Sequence, residues 1–154
     1  MRNHLDHIDE EILKLLYQNA RMPLKEIASK VYLSSPAVSA RIERLQDAGI
    51  ITGYRAMINP AELGYLIKAF INLEVQPSRK KEFNDYIRGC SFVIECNNVT
   101  GDSTMLIDVM FRSTEELDHF ISDLQKFGST KTQIVFSTSV QNRNIPLWES
   151  EDNE

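Results

Sequence analysis

Residues 24–49, LKEIASKVYLSSPAVSARIERLQDAG, constrain the fold more than any other stretch of this chain. Their spacing predicts two short helices joined by a tight turn. Leu24, Ile27, Ala28 and Val31 recur on one face of the first helix. Ala28 is small enough for a second helix to cross closely, and Leu33 plugs the turn. Ser34 and Ser35 are N-cap residues by type, and Pro36 suits the first helical position. In the second helix, residues 35–48, Val38, Ile42 and Leu45 recur at i, i+4 and i+7, and Gly49 stops it as a C′ glycine. The opposite face carries Ser35, Ala37, Ser39, Ala40, Arg41, Glu43 and Arg44. Its start is small and polar, so the helix can enter a DNA major groove ~12 Å wide.

A helical pair with an apolar stripe is often no more than core. Here a third helix precedes the pair and a short β segment follows it. The local charge is also favourable: Arg21, Lys25, Lys30, Arg41, Arg44 and Arg55 stand against Glu26, Glu43 and Asp47. The pattern is that of a helix-turn-helix, with residues 35–48 as the recognition helix. Ser34 and Ser35 are expected to position phosphates at the helix N-terminus, where free N–H groups favour an anion, with Pro36 beside them among the DNA-binding residues. Ala37 and Ser39 are expected near base edges, Ala40 elsewhere on the DNA-binding face, and Arg41 and Arg44 on bases or phosphates. Lys25, Lys30 and Arg55 are expected on the DNA backbone.

The net charge of −5 over 154 residues looks wrong for a DNA binder, but it is uneven. Residues 1–58 hold eight Lys/Arg and seven Asp/Glu; residues 59–154 hold nine and fifteen. Only charges within about a Debye length, ~8 Å, of the phosphates count fully. No apolar run approaches the ~20 residues of a membrane span and no signal-peptide pattern opens the chain, so the expected location is cytoplasmic, without a membrane partner. Cys90 and Cys96 form no CxxC motif and are expected as reduced thiols. His4, His7 and His119 are scattered, so no metal site is expected. There is no nucleophile motif and no phosphate-binding glycine loop, so the chain is not expected to be an enzyme and no cofactor is expected.

Organisation along the chain follows from periodicity and punctuation. A first helix runs from about Asp6 to Asn19, with Leu5, Ile8, Ile12, Leu15 and Leu16 inward and Asp9, Glu10 and Glu11 at its positive end. Residues 50–58 have strand character and suit a wing, so residues 1–58 read as a DNA-binding domain. Asn59-Pro60 breaks the run, and residues 59–65 form a hinge. Residues 66–141 read β-α-β-β-α-β, with strands Leu66–Val75, Phe92–Thr100, Thr104–Phe111 and Thr132–Val140. Helices capped by Ser78 and by a Ser113/Glu116 capping box separate them. The expected class is α+β: a winged helix-turn-helix followed by a ferredoxin-like βαββαβ domain with one open sheet face. Both faces of its first strand hold apolar groups, which suggests a second copy as partner. Residues 142–154 read as an acidic tail.

These pieces resemble the Lrp/AsnC, or feast/famine, transcriptional regulators over essentially the whole chain. The resemblance rests on Ile8-Asp9, Leu33-Ser34, Val38-Ser39-Ala40-Arg41-Ile42 with Leu45, Gly49-Ile50-Ile51, Asn59-Pro60 with Leu63-Gly64, and Val99-Thr100-Gly101. Each is short; their order and spacing are specific. The resemblance implies a sequence-specific regulator that binds double-stranded DNA, dimerises and assembles further to tetramers or octamers. It also implies a small effector, usually an amino acid, near Gly101, Asp102, Ser103 and Thr104, with Thr132 and Gln133 as partners. Many members carry Gly-x-x-Asp there, and Thr104 replaces the acidic residue. Read from the residues alone, Gly101-Asp102 is simply a hairpin turn. The alternative for the whole chain is a small-molecule-binding assembly protein whose helical head binds protein. It should lose nothing when Arg41 and Arg44 are neutralised.

Overall fold

The computed structural model describes residues 5–141, so the expected acidic tail, 142–154, lies outside the described residues. Two compact units separate, one reaching Met57 and one spanning Ile58–Ser139.

The first unit is three helices: α1 (His7–Gln18), α2 (Leu24–Lys30) and α3 (Ser35–Asp47). Asp6 caps α1. Its carboxylate accepts the Asp9 N–H at 2.8 Å, and the Asp9 carboxylate accepts the Asp6 N–H at 3.3 Å. The two thus make a reciprocal capping box with aspartate in both places. Ile12, Ile27, Ala28 and Val38 form the buried centre, with Ile8, Leu15, Leu16, Leu33 and Ile42 packed around it. Leu24, expected on the buried face, is instead 40% exposed in the first turn of α2.

α3 ends in a Schellman motif, and α2 ends in a left-handed turn with the same 6→1 bond. The Ile50 N–H bonds to the Leu45 carbonyl at 2.9 Å past left-handed Gly49 (φ 70°). The Leu33 N–H bonds to the Ala28 carbonyl at 3.0 Å past left-handed Tyr32 (φ 56°). Glycine adopts this conformation freely, whereas an L side chain costs roughly 1–2 kcal/mol. The segment expected as a wing strand, residues 50–58, joins no sheet. A strand requires a neighbour to bond, and the rest of this unit is helical.

The second unit opens on a short 3-10 turn, Pro60–Leu63, capped by Asn59. It continues as β1 (Ile67–Val75), α4 (Lys80–Arg88), β2 (Val93–Asn98), β3 (Met105–Phe111), α5 (Thr114–Gln125) and β4 (Gly128–Ile134). The sheet order is β2-β3-β1-β4, all antiparallel. Ala69, Ile71, Leu73 and Val75 of β1 and Met105, Ile107, Val109 and Phe111 of β3 point under the helices. They meet Phe83 and Ile87 of α4 and Leu117, Phe120 and Leu124 of α5. Lys68, Phe70 and Asn72 of β1 and Leu106, Asp108 and Met110 of β3 stand half-buried on the open face.

Three expectations shift. A 3-10 turn, Pro77–Arg79, precedes α4, so the helix starts at Lys80 and Ser78 makes no cap. Only half of the second capping box forms. Ser113 Oγ accepts the Glu116 N–H at 3.2 Å, but the Glu116 carboxylate accepts the Arg112 N–H at 2.9 Å. The last strand begins at Gly128, not Thr132, and ends at Ile134, although a further bond runs from the Val135 N–H to the Lys68 carbonyl.

Candidate nucleic-acid interface and effector cleft

The start of α3 is built by Ser34, whose Oγ accepts the Ala37 N–H at 3.3 Å, and by Pro36 just inside the helix. Ser34, Pro36 and Ala40 are exposed, while Ser35, Ala37 and Ser39 are half-buried. The Ser39 hydroxyl donates to the Glu43 carboxylate at 3.3 Å. The surface presented is small, polar and without bulk. Lys25, Lys30 and Arg55 are exposed; Lys30 is loosely paired with Glu26 at 3.9 Å.

The two arginines of α3 differ in surroundings. Arg41 folds back on α1, donating to Asp6 at 2.6 Å and to Asp9 at 2.8 Å, and its side chain is only 25% exposed. Arg44 donates to the other oxygen of Asp9 while 58% of its side chain remains in solvent. Asp9 itself is buried, its side chain 1% exposed. The Arg41 hydrogen bond, followed by the Asp9 N–H, holds the Asp6 carboxyl below its ordinary value, and the pairing with Asp6 and then Asp9 raises Arg41. The recognition helix is therefore clamped to α1 by a buried carboxylate.

Sequence reasoning read Asp6 as a cap and Asp9 as a complement to the helix dipole, and missed the clamp. The signal was present: Asp9 shares a helical face with Ile12, Leu13 and Leu16, where an acidic residue needs a cationic partner.

In the second unit, Asn72, Val99, Thr100, Asp102, Ser103 and Lys131 line a cleft of about 290 Å³ beside the loop before β3. Asp102 and Lys131 bring opposite charges to one opening. Thr104 serves another purpose: its hydroxyl accepts the Val75 N–H at 2.9 Å and donates to the Leu73 carbonyl at 3.1 Å. It locks the loop to β1. Thr132 pairs with Ile71 and so faces the helices, while Gln133 pairs with Phe70 on the open face. The cleft wall takes Lys131 from that strand instead. Gly101 has φ 113° and open space beside it. A larger cavity, about 450 Å³, lies at the other end of β3, with Tyr65, Phe92, Phe120, Arg112 and His119 among its walls.

Cys90 and Cys96 are both free, and burial pushes both thiols above their ordinary value, which leaves little thiolate for chemistry. Among the described residues no group of three or more His, Cys, Asp or Glu could hold a metal ion. No helix among them is long and apolar enough to cross a membrane.

Residues 5–52 match the family model described as winged helix-turn-helix DNA-binding, and residues 68–145 match the Lrp/AsnC ligand binding domain. The chain is 36% identical to the HTH-type transcriptional regulator LrpA of Bacillus subtilis, over 85% of this chain and 97% of the relative. Its fold superposes on the E. coli AsnC structure with a TM-score of 0.84 at 30% identity, covering 92% of this chain and 98% of that one. A transcriptional regulator of Neisseria meningitidis, solved as a complex with L-Met, gives a TM-score of 0.88 at 25% identity, covering 94% and 97%. With both halves matched in order along one chain, the protein belongs to the Lrp/AsnC family of transcriptional regulators.

Proposed function

We propose that this regulator acts as a homodimer that lays α3 of each copy in successive major grooves of double-stranded DNA, and that an α-amino acid in the Asp102/Lys131 cleft modulates it. In this reading residues 1–58 bind DNA, residues 59–65 act as a hinge at the entrance of the second unit, and residues 66–141 assemble and sense. The observation that carries the DNA reading is the start of α3. It is exposed, free of bulk and capped by Ser34, and the half-exposed Arg44 is held in place by a buried carboxylate. Ser34, Ser35 and Pro36 sit against phosphate, Ala37, Ser39 and Ala40 against base edges. Arg44 is the contact arginine, and Arg41 chiefly holds the helix. Lys25, Lys30 and Arg55 contribute through their charge.

The test is a gel-shift titration on the duplex upstream of the chain's own coding sequence, over a range of salt. Arg44→Ala is expected to weaken binding about tenfold and to lower the salt slope by about one. Unchanged affinity and slope in the combined Lys25, Lys30, Arg44 and Arg55 alanine variant would favour a head that binds protein.

For the effector, one carboxylate, one ammonium and the polar groups of Ser103 and Asn72 around a small cleft suit a zwitterion. The solved relative bound to L-Met supports the same class. Calorimetry with the twenty amino acids is expected to find a ligand whose binding weakens at least tenfold in Asp102→Asn and in Lys131→Met. Binding that survives both and fails in His119→Ala would move the ligand to the larger cavity.

A further inference from the structure

Tyr32 occupies a backbone position that a glycine would fill without strain. The turn geometry there is imposed by the main chain: the Leu33 N–H must reach the Ala28 carbonyl to end α2, and Leu33 must pack into the helical core. That forces a left-handed residue between them, as it does at Gly49 after α3. The same device thus appears twice within one unit, once with the residue the backbone favours and once with a large aromatic. The fold gains nothing from the ring. Tyr32 is 94% exposed, and among the described residues it has no aromatic partner and no hydrogen bond. Strain retained for a side chain that packs against nothing directs attention to what that side chain meets outside the chain.

Its place narrows the partner. Tyr32 precedes the recognition-helix cap Ser34 by two residues and follows the exposed Lys30 by two. We infer that Tyr32 is a DNA contact, its phenol hydroxyl donating to a phosphodiester oxygen beside the groove that α3 occupies; this rests on the docking reading above. A phenol is a phosphate donor by chemistry. The turn lies outside the helix, so it faces the wall of the groove rather than its floor. The Leu33–Ala28 bond fixes the main chain beneath the ring, so binding has only the two side-chain torsions left to order. The contact carries no sequence information, so its loss lowers affinity on specific and unrelated duplexes alike.

The experiment uses the full chain and pairs stability with DNA affinity. Tyr32→Gly relieves the backbone, and Tyr32→Asn keeps a side chain that tolerates the left-handed region. Both are expected to melt at or above the wild-type temperature. Both are expected to bind the upstream duplex and an unrelated duplex about tenfold more weakly, and Tyr32→Phe about threefold more weakly. Unchanged affinity in both Tyr32→Gly and Tyr32→Asn overturns the inference. So does a melting temperature well below wild type in both, because the ring would then belong to the fold. A wild type that binds no duplex at all fails the docking reading itself, which the same titration shows separately.

Discussion

At the scale of single residues the Asp9 carboxylate organises the head. It receives Arg41 on one oxygen and Arg44 on the other, and the Asp6 N–H as well. Removing one partner of a buried pair leaves an under-compensated charge, typically ~3–5 kcal/mol. Arg44 stays on Asp9 in Arg41→Ala, so the expected loss is about 2–3 kcal/mol in urea unfolding, with the DNA salt slope nearly unchanged. Arg44→Ala should show the reverse: a small stability loss and a reduced slope. Asp6 adds a pH dependence of definite sign. Its carboxyl is held below the ordinary 3.8 in the folded state, so its stabilisation is complete above that value and disappears as pH falls through the lowered one. Acid unfolding of Asp6→Asn is expected to be shallower than wild type below about pH 4. An identical acid limb in the two proteins would detach Asp6 from the clamp.

At the scale of elements, the legible parts were those whose apolar residues keep a period. The faces of α3, α5, β1 and β3 could be read from Val38, Ile42 and Leu45, from Leu117, Phe120 and Leu124, and from the alternation around Ile71 and Ile107. The fourth strand could not, because GSTKTQI is polar and its place is fixed by pairing with β1 from Val75↔Gly128 onward. The missed determinant is Gly128. A Cβ there would stand 1.8 Å from the Glu74 carbonyl oxygen, which is main chain and cannot swing away. Gly128→Ala is therefore expected to cost about 3 kcal/mol or more and to loosen β4, seen as lost hydrogen-exchange protection from Thr130 to Ile134. Ile50–Ile58 was unreadable for the opposite reason: its residues have strand propensity, but propensity supplies no neighbour. The surroundings of the loop proposed to hold an effector were not legible. Nothing in the sequence shows that Thr104 spends its hydroxyl on β1, or that alternation along β4 turns Lys131, not Thr132, toward the cleft.

At the scale of the whole molecule, the open sheet face is the surface on which the proposed homodimer would close. It carries Phe70, Leu106 and Met110 in the middle of a four-stranded sheet, with the Lys68–Asp108 ion pair at 3.3 Å among them. Asp108 Oδ1 is buried and has no hydrogen-bond partner among the described residues. Three apolar side chains at the centre of this face favour cover by a second copy, and a stable interface of about 1,600 Å² needs most of its width. Two carboxylates placed at its centre would have to be desolvated without partners. Leu106→Glu with Met110→Glu is therefore expected to turn the dimer into a folded monomer in sedimentation velocity at micromolar concentration, with the far-ultraviolet spectrum retained. Each head remains intact in that variant, since α1, α2 and α3 belong to the other unit. Two half-sites lie ~34 Å apart on one face of the duplex, and linking two heads raises affinity by ~10²–10⁴ through effective concentration alone. The monomer is expected to lose operator affinity by that factor while binding of a single half-site stays unchanged. A variant that remains dimeric would place the interface on another surface, and a monomer with full operator affinity would show that one recognition helix suffices.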